Sequence, residues 1–249
     1  MYKKALYLPA GDKSLVIEFG NTISKEINLK IRNMILALER ANLPGILELV
    51  PTYRSILLIY DPLVWIYPSL ISSLKKIETE LTSLELPKPR VNLIPVVYGG
   101  EYGPDLPFVC EHNGLTQEEV IKIHTGTDYL IYMLGFTPGF TYLGGMDERI
   151  ATPRLKTPRV KIPAGSVGIA GSQTGIYPID SPGGWQLIGR TPVKLFDPYR
   201  EKPVLLSAGD YVRFYEITPQ EYEEIAKKAE AGNYQVETRE YSVGEVAGE

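Results

Sequence analysis

The chain has 249 residues, with 26 Lys and Arg against 30 Asp and Glu for a formal net charge of -4. That length allows one large domain or two modest ones, and a charge so small and mixed excludes a polyanion-binding surface, so neither nucleic acid nor an acidic membrane is an expected partner. The single cysteine, Cys110, excludes an internal disulfide, and with only His112 and His124 beside it there is no Cys/His cluster for structural zinc.

The N-terminal stretch MYKKALYLPAGDKS lacks an apolar core of signal-peptide length, and no later run approaches the roughly 18 apolar residues of a membrane span. A reduced, soluble, cytoplasmic protein is expected. Ala5 to Pro9 and Ser14 to Phe19 are short β-rich runs joined by turn-forming Gly11 and Asp12, which predicts an opening hairpin. From Ser24, apolar Ile27, Ile31, Met34, Ile35 and Leu38 recur three and four apart, so a helix of about four turns follows. Ile46 to Val50 and Ser55 to Tyr60 read as strands, and Leu70 to Leu84 as a second helix with Leu70, Leu74, Ile77 and Leu81 on one stripe. A sheet covered by two helices is the economical packing.

Two prolines in LPKPR, Leu86 to Arg90, resist both helix and central strand and mark a domain boundary. Beyond it, VNLIPVVY is a strand candidate, and LTQEEVIKIHTG is a short helix with Thr116 as N-cap, Glu119 as capping-box partner and Gly126 as stop. Between them, Cys110 is expected on a strand edge and His112 in a turn. Strand-like runs YLIYML, SVGIAG, GIYPI, WQLIG, VKLF and YVRFYEI then follow at spacings too short for crossover helices, the signature of an antiparallel barrel or sandwich. TPQEYEEIAKKAEA, 218 to 231, is a capped amphipathic helix. The expected organisation is α+β: a two-helix N-terminal domain over 1–86, a β-barrel domain with a C-terminal helix over 91–232, and a polar tail over 233–249.

Aromatics and arginines among glycine and proline concentrate at 132–145 and 152–192. A ligand pocket on a barrel needs flat apolar faces, a few fixed donors, and backbone approached closely at glycine; hairpins and a filled barrel interior call for the same residues. Arginine tips the balance. Arg154, Arg159 and Arg190 lie in segments otherwise poor in charge, and a guanidinium fork suits carboxylate or phosphate. His124 is a candidate catalytic residue, although a histidine near a helix end also serves to cap carbonyls. In SPGGWQLIGRTP, Pro182 to Gly184 read as a turn, WQLI as a strand, and Trp185 with Arg190 as the ligand-facing part. No phosphate loop, HExxH helix or nucleophile elbow is present, and GSVGIAG lies between strand-like runs with no following helix.

As an ordered series, GFTPGFTYLGG, TPR, KTPRVKIPAGSVGIAGSQTGIYPIDSPGGWQLIGRTP, LFDP and LLSAGDYVRF closely resemble the allophanate hydrolase subunit 1 family, a group that includes the B component of bacterial 5-oxoprolinase and the histidine-kinase inhibitor KipI. The resemblance runs from the first domain to about Phe214. It implies a cyclophilin-like β-barrel after the N-terminal domain, and a partner chain of the allophanate hydrolase subunit 2 type, the C component. With a third chain, the A component, such proteins use ATP to open 5-oxoproline (pyroglutamate) to L-glutamate, so ATP is expected at the level of the complex and activity is not expected of this chain alone. The alternatives the family leaves are a KipI-like inhibitor of a sensor histidine kinase and an allophanate or urea-amide hydrolase component. On these motifs Phe136, Phe140, Tyr142, Arg154 and Arg159 are candidates for binding substrate or a partner, together with Gln173, Tyr177, Trp185 and Arg190; no metal ligand is expected. The family pattern has proline where this chain has Thr141, which removes a backbone constraint and adds a hydroxyl.

Overall fold

The structure, a computed structural model, describes residues 1–81 and 87–242. The chain divides into two compact units, Met1–Lys88 and Pro89–Glu249. The expected boundary residue Leu86 and the expected helix end at Leu84 lie outside the described residues.

In the first unit β1 (Leu6–Pro9), β2 (Ser14–Glu18), β3 (Ile46–Pro51) and β4 (Ser55–Tyr60) form one antiparallel sheet in the order β1-β2-β4-β3. Strand alternation aims Leu15, Ile17, Ile56 and Leu58 at the core. There they meet Ile27, Ile31, Met34 and Leu38 of α1 (Lys25–Ala41) and Leu70 and Leu74 of α2 (Tyr67–Glu80). Helix α1 begins where Ser24 accepts the Ile27 N–H at 3.2 Å and stops at left-handed Asn42. The start of α2 lies three residues before the expected Leu70, because Pro68 suits a first helical turn.

The second unit is built on a sheet of eight strands that curls into a barrel-like form. Its strands are β5 (Arg90–Tyr98), β6 (Asp128–Leu134), β7 (Thr141–Gly144), β9 (Ser166–Ala170), β10 (Gln173–Ile176), β12 (Gln186–Arg190), β13 (Tyr211–Glu216) and β14 (Thr238–Glu240). The order is β10-β9-β12-β5-β13-β6-β7, with β14 also on β5, and the end strands β10 and β7 come into contact. Ile94, Val96, Ile131, Val167, Ile169, Ile188, Val212 and Phe214 fill the interior. Two short strands, β8 (Arg159–Ile162) and β11 (Ser181–Gly183), form a separate antiparallel ribbon. Helices α3 (Leu106–Asn113) and α4 (Gln117–Thr125) add Leu106, Val109 and Val120 to the core, and α5 (Pro219–Glu230) lies beyond β13 in sequence with no fully buried residue.

The expectations meet several corrections here. The barrel is not wholly antiparallel: β13 runs parallel to β5 with Tyr211 opposite Val91 and Glu216 opposite Val96, a pairing between strands more than a hundred positions apart that no local pattern announces. Pro95 sits within this central strand because the outer side of β5 passes there from β14, which pairs residues 90–92, to β12, which pairs 97 and 98, so no donor is required of it. Cys110 and His112 belong to α3 rather than to a strand edge and a turn; Pro107 suits its first turn and left-handed Gly114 ends it. VKLF is no strand, being held only by a bridge from Phe196 to Val204. Pro182 and Gly183 lie in β11 instead of a free turn. Within the expected polar tail, Thr238–Glu240 pair with β5, and Tyr241 stacks on Tyr211 at 3.8 Å; residues 243–249 lie outside the described residues.

Candidate functional site

The loop from β6 into β7, Gly135 to Phe140, carries two phenylalanines to one end of the barrel. Phe140 is buried and forms the hub of four edge-on ring contacts: Phe136 at 5.5 Å, Tyr142 at 5.4 Å, Tyr177 at 5.9 Å and Trp185 at 5.8 Å between centroids. Edge-to-face geometry sets the positive rim of one ring against the negative face of the next. These rings, with Arg154, Gln173 and the Pro182–Gly184 segment, line a cleft of about 250 Å³. That lies below the roughly 300–1,000 Å³ of pockets for drug-sized ligands and suits a small metabolite. Gly183 is required in the wall, since a Cβ there would overlap the Tyr177 hydroxyl, and a Cβ on Gly175 would press on the Trp185 ring at 3.2 Å.

Arg154 supplies the charge. Its segment is hung on the stretch around Trp185 that leads into β12: the Leu155 N–H donates to the Gly184 carbonyl at 2.7 Å, and Gln186 Nε2 donates to the Pro153 carbonyl at 2.9 Å. The guanidinium itself makes no hydrogen bond or ion pair among the described residues and lines the cleft. Burial pushes the Tyr177 phenol up from its ordinary pKa, while the positive charges of Arg154 and Arg159 draw it back. Tyr177 therefore stays a neutral hydroxyl beside a cation. One permanent positive charge, an amide, phenols and flat apolar faces can hold a small anion with a planar body.

Seven of the nine expected binding residues, Phe136, Phe140, Tyr142, Arg154, Gln173, Tyr177 and Trp185, meet in this cleft. The other two do not. Arg159 donates through one nitrogen to Asp105 Oδ1 at 2.7 Å and through another to the Trp185 carbonyl at 3.3 Å, while Asp105 Oδ2 accepts the Leu187 N–H at 2.6 Å. The pair thus braces the backbone on both sides of Gln186 and holds Trp185 from behind. Arg190 turns away, its Nε donating to the Ala164 carbonyl at 3.0 Å. Asp105 carried no signal in the sequence because its partners, Arg159 and Leu187, lie 54 and 82 positions away; it precedes α3 but its carboxylate makes no bond to that helix.

His124 lies apart from the cleft and is fully buried. Thr174 Oγ1 donates its one proton to the Gly168 carbonyl at 3.0 Å, so in its 2.8 Å bond with His124 Nε2 it must accept; Nδ1 is then left to accept the Tyr98 hydroxyl at 2.7 Å. With Phe214 stacked on it at 4.5 Å, the imidazole is held neutral and burial lowers its pKa to about 3. Both nitrogens are used, which argues against the catalytic role expected of it. Cys110 is buried, and burial raises its thiol pKa, which disfavours the reactive thiolate.

The family model described as carboxyltransferase domain, subdomain C and D, matches residues 5–206, a span that contains every residue of the cleft. The chain belongs to this carboxyltransferase-domain family. The B component of 5-oxoprolinase from Bacillus subtilis (strain 168) is 46% identical over 224 residues, which cover 85% of this chain and 92% of that protein. The crystal structure of TTHA0988 superposes with a TM-score of 0.72 at 42% identity, covering 83% of this chain; the chain spans 40% of that longer one. The urea carboxylase of Kluyveromyces lactis, 24% identical with a TM-score of 0.68, covers 95% of this chain and 24% of its own, a likeness of fold alone. Among the described residues of this carboxyltransferase-domain chain no group of three or more His, Cys, Asp and Glu is placed for a metal. Among the described residues no helix is long and apolar enough to cross a membrane. The glycines of 165–171 lie just before β9, on it and in its turn into β10, with no helix following, so this segment is not a strand–loop–helix cradle for a nucleotide phosphate.

Proposed function

We propose that the chain is the B component of an ATP-dependent 5-oxoprolinase of the cytoplasm. It acts with a C component, of the allophanate hydrolase subunit 2 type, and with an A component to open 5-oxoproline to L-glutamate. The observation that carries this reading is the cleft, which a guanidinium with no hydrogen bond or ion pair among the described residues lines together with a set of rings, at a size suited to a small metabolite. 5-Oxoproline has the matching chemistry: one carboxylate on a flat five-membered lactam.

In this reading Arg154 takes the carboxylate in a charge-assisted pair. The rings around Phe140 shed water from the apolar edge of the lactam, and Tyr177 and Gln173 offer hydrogen bonds to its amide. No step of ATP use is assigned to this chain in this reading: it binds and orients the lactam, and ATP is used elsewhere in the complex. The cyclophilin-like assignment of the barrel and the inactivity of the isolated chain belong to the same reading. Mixing this chain with the A and C components, 5-oxoproline and ATP is expected to release glutamate, and omitting it is expected to stop the release. Glutamate release that is unchanged without this chain would end the proposal.

A further inference from the structure

Two described residues other than glycine have a left-handed backbone, Asn42 and Phe136. Asn42 is the C-cap of α1, with its N–H bonded to the Glu39 and Leu38 carbonyls, an ordinary place for Asn. Phe136 caps no helix. Its φ is +66°, and the Thr137 N–H closes back on the Gly135 carbonyl at 2.8 Å, so it centres a three-residue turn of positive φ, the rarer and more strained hand. Burial does not offset this, because Phe136 is 66% exposed. The next residue adds a second unfavourable feature: the Thr137 hydroxyl is buried without a hydrogen-bond partner among the described residues. Both fall in the loop that rims the cleft, which is held shut on itself by Gly135 N–H to the Phe140 carbonyl at 3.1 Å and Phe140 N–H to the Thr137 carbonyl at 3.0 Å. Strain of this kind persists where the surroundings impose it, and it gathers at ligand clamps.

We propose that Phe136 is the specificity-determining ring of the cleft. The left-handed turn holds it out of the core, edge-on to Phe140, so that it covers the face of a small flat anion seated on Arg154. Its apolar surface leaves water only when a ligand fills the cleft, and a ligand too thick for the gap cannot be covered. This inference rests on the lactam-binding reading above.

The test uses the complex reconstituted from all three chains and measures KM and kcat for 5-oxoproline and for its six-membered lactam homologue. Phe136→Ala removes the ring and keeps the strained turn, Phe136→Gly removes both, and Arg154→Ala serves as reference. Both Phe136 variants are expected to raise KM for 5-oxoproline roughly tenfold with kcat nearly unchanged, and to narrow the preference for the five-membered ring. Phe136→Gly is expected to unfold at a higher temperature than Phe136→Ala, since glycine accepts positive φ. An unchanged KM and substrate preference in both Phe136 variants, with a raised KM in Arg154→Ala, overturns the role of Phe136 and leaves the cleft reading intact. An unchanged KM in all three overturns both. A glycine variant no more stable than the alanine variant overturns the strained turn as the reason for the ring's position.

Discussion

Strand β10 divides two aromatic nests that share the second unit and differ in what they leave unmade. On one face Thr174 meets His124, which in turn meets Tyr98 and Phe214; on the other Gln173 and Gly175 face the cleft with Trp185 and the rings around Phe140. In the first nest every donor and acceptor of the imidazole is matched by a protein group. The second holds a guanidinium with no hydrogen bond or ion pair among the described residues and an exposed, strained aromatic. A satisfied polar group in a core rigidifies it, whereas unmatched groups around a concavity are available to a ligand. His124, of the residue type most often associated with catalysis, lies on the structural side of this divide.

Acid offers the sharpest way to break the comparison. His124 is neutral in the folded state with a pKa of about 3, while the unfolded chain takes up that proton near 6.5. The contribution of the nest is therefore complete above about pH 6.5 and declines as the pH falls toward 3, by an amount on the order of 5 kcal/mol. Urea unfolding followed by Trp185 fluorescence in a Trp65→Phe background should show this loss, and a His124→Phe variant should lack most of the slope between those pH values. An unaltered slope in the variant would place the acid sensitivity elsewhere.

Phe140→Ala probes the other nest and is expected to cost about 3 kcal/mol, the low end for a buried aromatic, because the cleft is already open on one side. Thermal unfolding measures it, and loss of glutamate release from the complex should accompany it. The smallest effect is expected at Thr141, fully buried with no partner for its hydroxyl among the described residues. Thr141→Val keeps the shape, removes the unsatisfied oxygen and should stabilise the unit by about 1 kcal/mol. A destabilised valine variant would mean that the hydroxyl is satisfied in solution.

Much of the cleft was legible because its residues are close in sequence and chemically conspicuous: aromatics and arginine packed among glycine and proline between Phe136 and Trp185. The two arginines that went elsewhere show the limit. Arg159 was drawn off by Asp105, more than fifty positions away, and Arg190 by a neighbouring carbonyl; sequence shows that an arginine is present and not which acceptor lies nearest once the chain is folded. Helix α3 was missed because LPFVCEHN has too few turns to display a period, whereas Thr116 with Glu119 and Thr218 with Glu221 announce α4 and α5 through capping boxes formed by side chains three residues apart.

By itself, then, the sequence determined what depends on neighbours along the chain: the helices with their caps, the opening hairpin, most strands of the barrel, and the ordered motifs that mark its family. Only the tertiary structure decided what depends on partners distant in sequence. It set the parallel pairing of β13 with β5, the seating of the C-terminal strand on β5, the matching of both His124 nitrogens, and the choice of Arg154 over Arg159 and Arg190 as the charge in the cleft. Local patterns report propensity and periodicity, while the fate of a charge or a ring is settled by whichever groups packing brings within reach.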